Sequence, residues 1–124
     1  ANTIACAAAN ASFDIFEEQQ TWENIARIEK INAVLKELPA QFNNIREVRC
    51  TGTIAAVEFA VSENTSYFNV LRDEAYRFFL DKGILLRPLG NIVYLMPPYC
   101  ITPEEHQRVI DAIIEFAAYY SSKK

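Results

Sequence analysis

The residues best equipped for chemistry lie between Gly83 and Pro98, in the stretch GILLRPLGNIVYLMPP. A guanidinium at Arg87 and a phenol at Tyr94 stand on either side of Gly90-Asn91, whose glycine can supply the positive φ of a type II′ turn. Two apolar runs of strand length flank the dipeptide, so the stretch reads as a tight β-hairpin. A two-residue loop would set Leu89 opposite Ile92, Pro88 opposite Val93, Arg87 opposite Tyr94 and Leu86 opposite Leu95, and opposed residues share one sheet face. Alternation adds Leu85, Leu89, Ile92 and Met96 to the face of Arg87 and Tyr94. The guanidinium is then the only charge in an apolar, aromatic patch and requires an anionic partner. Its planar fork suits a carboxylate because it engages both oxygens at once. The alternatives are an edge-strand cation that snorkels to an acidic neighbour, for Arg87, and an ordinary packing aromatic, for Tyr94. Pro88 has no N–H, which implies an incoming strand that is either at a sheet edge or irregular beside Arg87. Irregular strand is one means of turning a side chain toward a ligand.

The other chemistry-bearing residues form no second constellation. His106, the only histidine, falls in the first turn of an expected helix, without a nearby carboxylate or cysteine arrangement, and reads as exposed surface. Cys6, Cys50 and Cys100 are odd in number, far apart and without the close pairs of a zinc or redox motif; they read as reduced thiols of a cytosolic protein. No metal site, Gly-rich phosphate loop, nucleophile elbow or carboxylate pair of fixed separation can be drawn from the spacing.

A chain of 124 residues suffices for one domain that buries roughly two thirds of its unfolded surface. The composition, 51% hydrophobic and 23% charged with only 3 Gly and 5 Pro, is that of a globular fold with little room for disordered linkers. A net charge of -4 and the lack of any Lys/Arg cluster weigh against a nucleic-acid or anionic membrane surface, leaving small molecules or proteins as expected partners. No apolar run approaches the ~20 residues of a membrane span, and the start lacks the basic and apolar segments of a signal peptide. The chain begins at Ala1 and enters a helix at once, which leads to the expectation that it is a piece of something longer.

The elements that must position Arg87 and Tyr94 follow from periodicity. Asn2 to Glu18 is alanine-rich, with Ile4, Ala8, Ala11 and Ile15 at helical spacing. Its small-residue face either admits another backbone, as fits a helix packed on a missing domain, or reflects only the helix propensity of alanine. Thr21 reads as the N-cap of a second helix with the stripe Ile25, Ile28, Ile31, Leu35 and Leu38, solvated at Glu29, Lys30 and Lys36 and ended by Pro39. Val48 to Val61, VRCTGTIAAVEFAV, reads as one long strand bent or bulged at Gly52, the alternative for that glycine being close approach of a ligand. Beyond the bend, Ala55, Val57 and Phe59 share one face and Ile54, Ala56 and Glu58 the other, with Glu58 in solvent or in a salt bridge. Ser62 to Ser66 is a polar loop, and Phe68, Leu71, Ala75 and Phe78 mark a third helix stopped by Lys82-Gly83. After the hairpin, Thr102-Pro103-Glu104-Glu105 forms a capping box for a last helix through Val109, Ile110, Ile113, Ala117 and Tyr120 to the tail Lys123-Lys124. The order helix, helix, strand, helix, strand, strand, helix predicts an α+β fold: a small, mainly antiparallel three-stranded sheet packed with helices, with residues 1–124 as a single domain.

The hairpin LRPLGNIVYLMPPY, with the I-T-P-E-E of Ile101 to Glu105, resembles the C-terminal segment of class III, fold type I aminotransferases that use pyridoxal phosphate. ANTIACAAANASFDIFE resembles the segment just after that family's phosphate-binding threonine, and VRCTGTIAAVEFA its strand with a glycine followed by a glutamate. The resemblance covers nearly the whole chain; the hairpin is its specific part, and the other two motifs are shared across the class. Thr3-Ile4 stands where the family commonly has proline and leucine, a departure that touches helix entry rather than chemistry.

The resemblance implies the C-terminal small domain of a larger enzyme whose cofactor is pyridoxal 5′-phosphate. Within the class it is similar to the biotin-synthesis branch, which moves an amino group from S-adenosylmethionine to 8-amino-7-oxononanoate to give 7,8-diaminononanoate. A branch acting on ornithine-like or ω-amino substrates is the alternative, as is a non-catalytic small-molecule-binding domain. By the same resemblance Arg87 holds the substrate carboxylate, Tyr94 lines that pocket, and the parent enzyme is a cytoplasmic homodimer. The family's Schiff-base lysine and phosphate-binding threonine would precede Ala1, and none of Lys30, Lys36, Lys82, Lys123 or Lys124 replaces that lysine. No catalytic, cofactor-binding or metal-binding residue is therefore expected here, and the chain alone is expected to be inactive.

Overall fold

Asn2 accepts from the N–H groups of Ile4 and Ala5, at 3.1 and 3.2 Å, and so starts the alanine-rich helix α1, Thr3–Glu17. The computed structural model describes residues 2–61 and 70–123; the expected Ser62 to Ser66 loop, Phe68 and Lys124 lie outside the described residues. None of α1 is buried, and Ile4 and Phe13 are 81% and 71% exposed. Helix α2, Gln19–Asn32, begins two residues before Thr21, which is therefore not its N-cap. Instead the Thr21 hydroxyl donates to the Ile15 carbonyl at 2.8 Å, which also accepts from the Glu18 N–H, and the Trp22 indole N–H donates to the Phe16 carbonyl at 2.7 Å, so side chains of α2 bond the last turn of α1. The second helix also stops before Pro39. It tightens into a 3₁₀ turn, Ala33–Glu37, and the short helix α3, Leu38–Gln41, follows with Pro39 in its first turn, where no intrahelical N–H is needed.

The stretch Val48 to Val61 is two strands rather than one bent strand. Strand β1, Ile45–Thr51, reverses at Gly52-Thr53 into β2, Ile54–Phe59, with Thr51 opposite Ile54 and Gly52 at φ +53. The change of phase at Gly52 marks a hairpin turn that only a residue tolerant of positive φ makes without strain. After α4, Val70–Asp81, the single strand β3, Ile92–Leu95, adds antiparallel to β2, giving the sheet order β1-β2-β3.

Strand β3 does not pair with residues 84–88. Its partners are Ala55 for Leu95, Ala56 for Tyr94, Val57 for Val93 and Glu58 for Ile92. Only the Leu89–Ile92 pair of the expected hairpin forms, with two hydrogen bonds of 2.8 and 3.0 Å across a turn where Gly90 has φ +61. No described non-glycine residue has positive φ, which matches type II′. Opposite Val93 the backbone of Pro88 would face away from β3, so its missing N–H is not what ends the pairing; the segment leaves β3 beyond Leu89 and forms no strand, and of the two readings of Pro88 the irregular one holds. The α+β class and the antiparallel three-stranded sheet stand, but two strands precede α4 and one follows it.

One sheet face, carrying Ala55, Val57, Phe59, Val93 and Leu95, packs on Leu71, Ala75 and Phe79 of α4 and on Ile110, Ile113 and Phe116 of α5, Pro103–Ser121. The other face carries Glu58, paired with Arg46 at 3.2 Å and Arg49 at 3.0 Å, in agreement with the expected salt bridge. Helix α4 ends as Lys82-Gly83 predicts. The N–H of Gly83 reaches the Leu80 carbonyl, that of Ile84 reaches Phe79, and Gly83 has φ +71, a Schellman arrangement. Helix α5 starts with the reciprocal Thr102–Glu105 capping box.

His106 is not surface. It is fully buried, and its Nε2 lies 2.9 Å from Asn32 Oδ1. The Asn32 amide donates to the Thr53 carbonyl at 3.0 Å, so Oδ1 is its accepting end and Nε2 of His106 carries the proton. The network ties α5 to α2 and to the β1–β2 turn. Burial, and then the charge of Arg27, hold the imidazole pKa below its ordinary value. The unfolded histidine takes up a proton near pH ~6.5, whereas the folded one resists. Its contribution to stability is thus full above that pH and is lost as the pH falls. Urea midpoints are expected to drop between about pH 7 and pH 5.5, and His106→Gln, which keeps an amide for Asn32, should flatten that part of the profile. Parallel profiles for the two proteins would contradict this.

Candidate functional site

Alternation survives between α4 and β3 although the ladder does not. Ile84 and Pro88 are buried and Leu86 packs against the core, while Leu85, Arg87 and Leu89 point outward. The segment is fixed at one end by the Schellman bond of Ile84 and at the other by the Leu89–Ile92 pair. Along β3, Val93 and Leu95 are buried, and Ile92 and Tyr94 are partly exposed. Two short pieces of backbone with matching alternation therefore turn Arg87 and Tyr94 to the same side.

They line one cleft of about 610 Å³, together with Pro88 and Leu89. The expected cross-strand pair of Arg87 and Tyr94 does not form; both side chains line the cleft. The opposite wall comes from α4, whose Arg72, Asp73 and Tyr76 also line the cleft. Arg87 is accordingly not the only charge there; Arg72 and Asp73 form an ion pair of 3.8 Å. Arg87 itself makes no ion pair among the described residues, so the alternative of an acidic neighbour finds no partner among them. Beside the three charged side chains the lining offers the half-exposed Leu89, and Leu85 and Met96, near in sequence to Arg87 and Tyr94, are exposed as well. A guanidinium beside two phenol rings and aliphatic side chains can hold a carboxylate while keeping its alkyl part out of water.

The α4 wall escaped the reading of the sequence. Its one local signal is that Arg72 and Tyr76 are a helical turn apart and flank the buried row Leu71, Ala75 and Phe79, which puts them at the margin of the packed face.

Among the described residues, no group of three or more His, Cys, Asp or Glu side chains is placed to hold a metal ion. A lysine that forms an imine with a cofactor must shed its proton, which desolvation or a neighbouring cation promotes. Lys82 is instead ion-paired with Glu115 above the Phe78 ring, and Lys123 is paired with Glu74, which raises its pKa. Lys30 and Lys36 are exposed. These lysines do not fit a covalently held pyridoxal phosphate, and no chemical step is assigned to them. The three cysteines are free; Cys6 and Cys100 are exposed, and burial pushes the Cys50 thiol up.

The family profile Aminotransferase class-III matches residues 1–116. The adenosylmethionine-8-amino-7-oxononanoate aminotransferase of Synechococcus elongatus is 36% identical over 115 residues, which cover 93% of this chain and 26% of that protein. The crystal structure of the enzyme of the same name from Methanocaldococcus jannaschii superposes with a TM-score of 0.79 at 29% identity, covering 92% of this chain and 27% of that one. An amine transaminase from an uncultivated Pseudomonas species, in its PLP-bound form, gives a TM-score of 0.77 at 27% identity, covering 93% and 27% of the two chains. The chain thus spans about a quarter of the length of the curated relatives it matches. With a profile match over nearly its full length, and with the same helix and sheet arrangement, the chain belongs to the class III aminotransferase family.

Proposed function

We propose that this chain is the C-terminal small domain of a pyridoxal-phosphate transaminase that moves an amino group from S-adenosylmethionine to 8-amino-7-oxononanoate, giving 7,8-diaminononanoate for biotin synthesis. The observation that carries the reading is the placement of Arg87 and Tyr94 in one cleft, in a chain whose relatives bear that enzyme's name. Arg87 grips the carboxylate of the keto substrate, and Tyr94 lines the same pocket. The residues that hold the cofactor belong to a large domain outside this chain. This chain's contribution is orientation: binding energy at the far end of the substrate fixes where its ketone lies. The full-length protein works as a cytoplasmic homodimer, and the 124-residue chain is inactive alone. The likeness to the Pseudomonas amine transaminase favours, as second reading, a branch acting on ω-amino or ornithine-like substrates.

The test is amino transfer by the full-length protein, offered S-adenosylmethionine, ornithine or a simple ω-amine as donor, with this chain alone as control. Formation of 7,8-diaminononanoate from S-adenosylmethionine, by the full-length protein only, is the expected result. Transfer from the ω-amine or ornithine but not from S-adenosylmethionine selects the second reading. No transfer from any donor leaves a binding domain without catalysis.

A further inference from the structure

We propose that Tyr76 of α4 is a specificity residue of the Arg87 cleft: its ring is the wall along which the alkyl chain of an aliphatic monocarboxylate lies while Arg87 holds the carboxylate. The inference rests on the reading of Arg87 given above. Helix α4 is anchored by Leu71, Ala75 and Phe79, all fully buried or nearly so, and this packing fixes its rotation. Arg72 and Tyr76, one turn apart on the adjoining strip, are thereby held toward the cleft they line.

The chemistry of the two walls is unequal. On the α4 side the charge is balanced internally, because Asp73 pairs with Arg72, and the large neutral surface left is the Tyr76 ring, 40% exposed. On the opposite side, Leu89 is half exposed and Tyr94 partly so, beside an Arg87 without an ion pair among the described residues. A ligand that satisfies both walls has one anionic end and an apolar body. A methylene group covered on one side only is worth roughly a twofold gain in affinity, about half the free energy of full burial.

The test is calorimetric titration of the full-length protein with linear monocarboxylates from butyrate to octanoate, which needs no turnover. Wild-type affinity is expected to rise roughly twofold per added methylene. Tyr76→Ala should flatten that rise and Tyr76→Phe should keep it, since the ring and not the hydroxyl forms the wall. Arg87→Ala should lower every affinity and leave the dependence on chain length intact. A Tyr76 of purely structural importance would lower all affinities equally in Tyr76→Ala without changing the slope. That result, or an unchanged series in Tyr76→Ala, overturns the inference while a loss in Arg87→Ala still upholds the carboxylate site. No loss in Arg87→Ala overturns both.

Discussion

On the proposed function, Arg87→Ala in the full-length protein is expected to weaken use of 8-amino-7-oxononanoate roughly 10- to 100-fold in kcat/KM and to leave the half-reaction with S-adenosylmethionine nearly unchanged. The magnitude is that of a lost hydrogen bond to a charged group, about 1.5–3 kcal/mol, with each 1.4 kcal/mol worth about a factor of ten. Both substrates carry a carboxylate, and the asymmetry rests on the proposed role of Arg87 at the far end of the alkyl chain of 8-amino-7-oxononanoate rather than at the α-carboxylate of S-adenosylmethionine. Arg87 is exposed on a short segment pinned at Ile84 and Leu89, and it lines its cleft with Leu89, Tyr76 and Tyr94, surfaces suited to an alkyl carboxylate. Arg87→Lys should fall between the two proteins, because it keeps the charge but not the planar fork that engages both oxygens. Steady-state rates with each substrate varied in turn measure both variants. Equal loss in the two half-reactions would remove Arg87 from the role of a clamp that serves the keto substrate alone.

Signals that act within a few residues were legible in the sequence. The Thr102–Glu105 capping box, the Lys82-Gly83 stop and the glycine turn at Gly90 are each satisfied by neighbouring backbone, and each stands where its residues placed it. Features decided by partners distant in sequence were not. Gly52 was visible as a change of phase, but a bend and a reversal both produce one, and only pairing with Ile54 onward distinguishes them. Strand β3 has the alternation of a hairpin arm, yet its ladder runs to β2, a partner more than 30 residues away that alternation alone does not name. His106 carried a local signal that went unused. It stands in the helical row His106, Ile110, Ile113 and Ala117, all buried, and that spacing outweighs the polarity of one residue when Asn32 is there to receive its proton. The site divides in the same way: Arg87 and Tyr94 were readable because they flank one turn, whereas the contribution of α4 depends on how that helix rotates over the sheet.

Phe116→Ala is expected to destabilise the chain by about 3–5 kcal/mol, a large share of the total of a domain this size. Phe116 has no exposed surface and sits where three elements meet. Its ring centroid is 5.3 Å from Phe59 of β2, 5.4 Å from Phe79 and 5.2 Å from Phe78 of α4, and 6.1 Å from Tyr120 of its own helix. The Phe59 contact is edge-on, at 70°, a favoured geometry for ring quadrupoles. Removing the ring leaves a cavity that Phe59 and Phe79 cannot both fill, since each is already held against the sheet or the helix it belongs to. Phe116→Leu fills part of that space and should cost clearly less. Urea unfolding followed by far-UV circular dichroism measures both, and a loss below about 1.5 kcal/mol for the alanine variant would mean that the neighbouring rings close the gap.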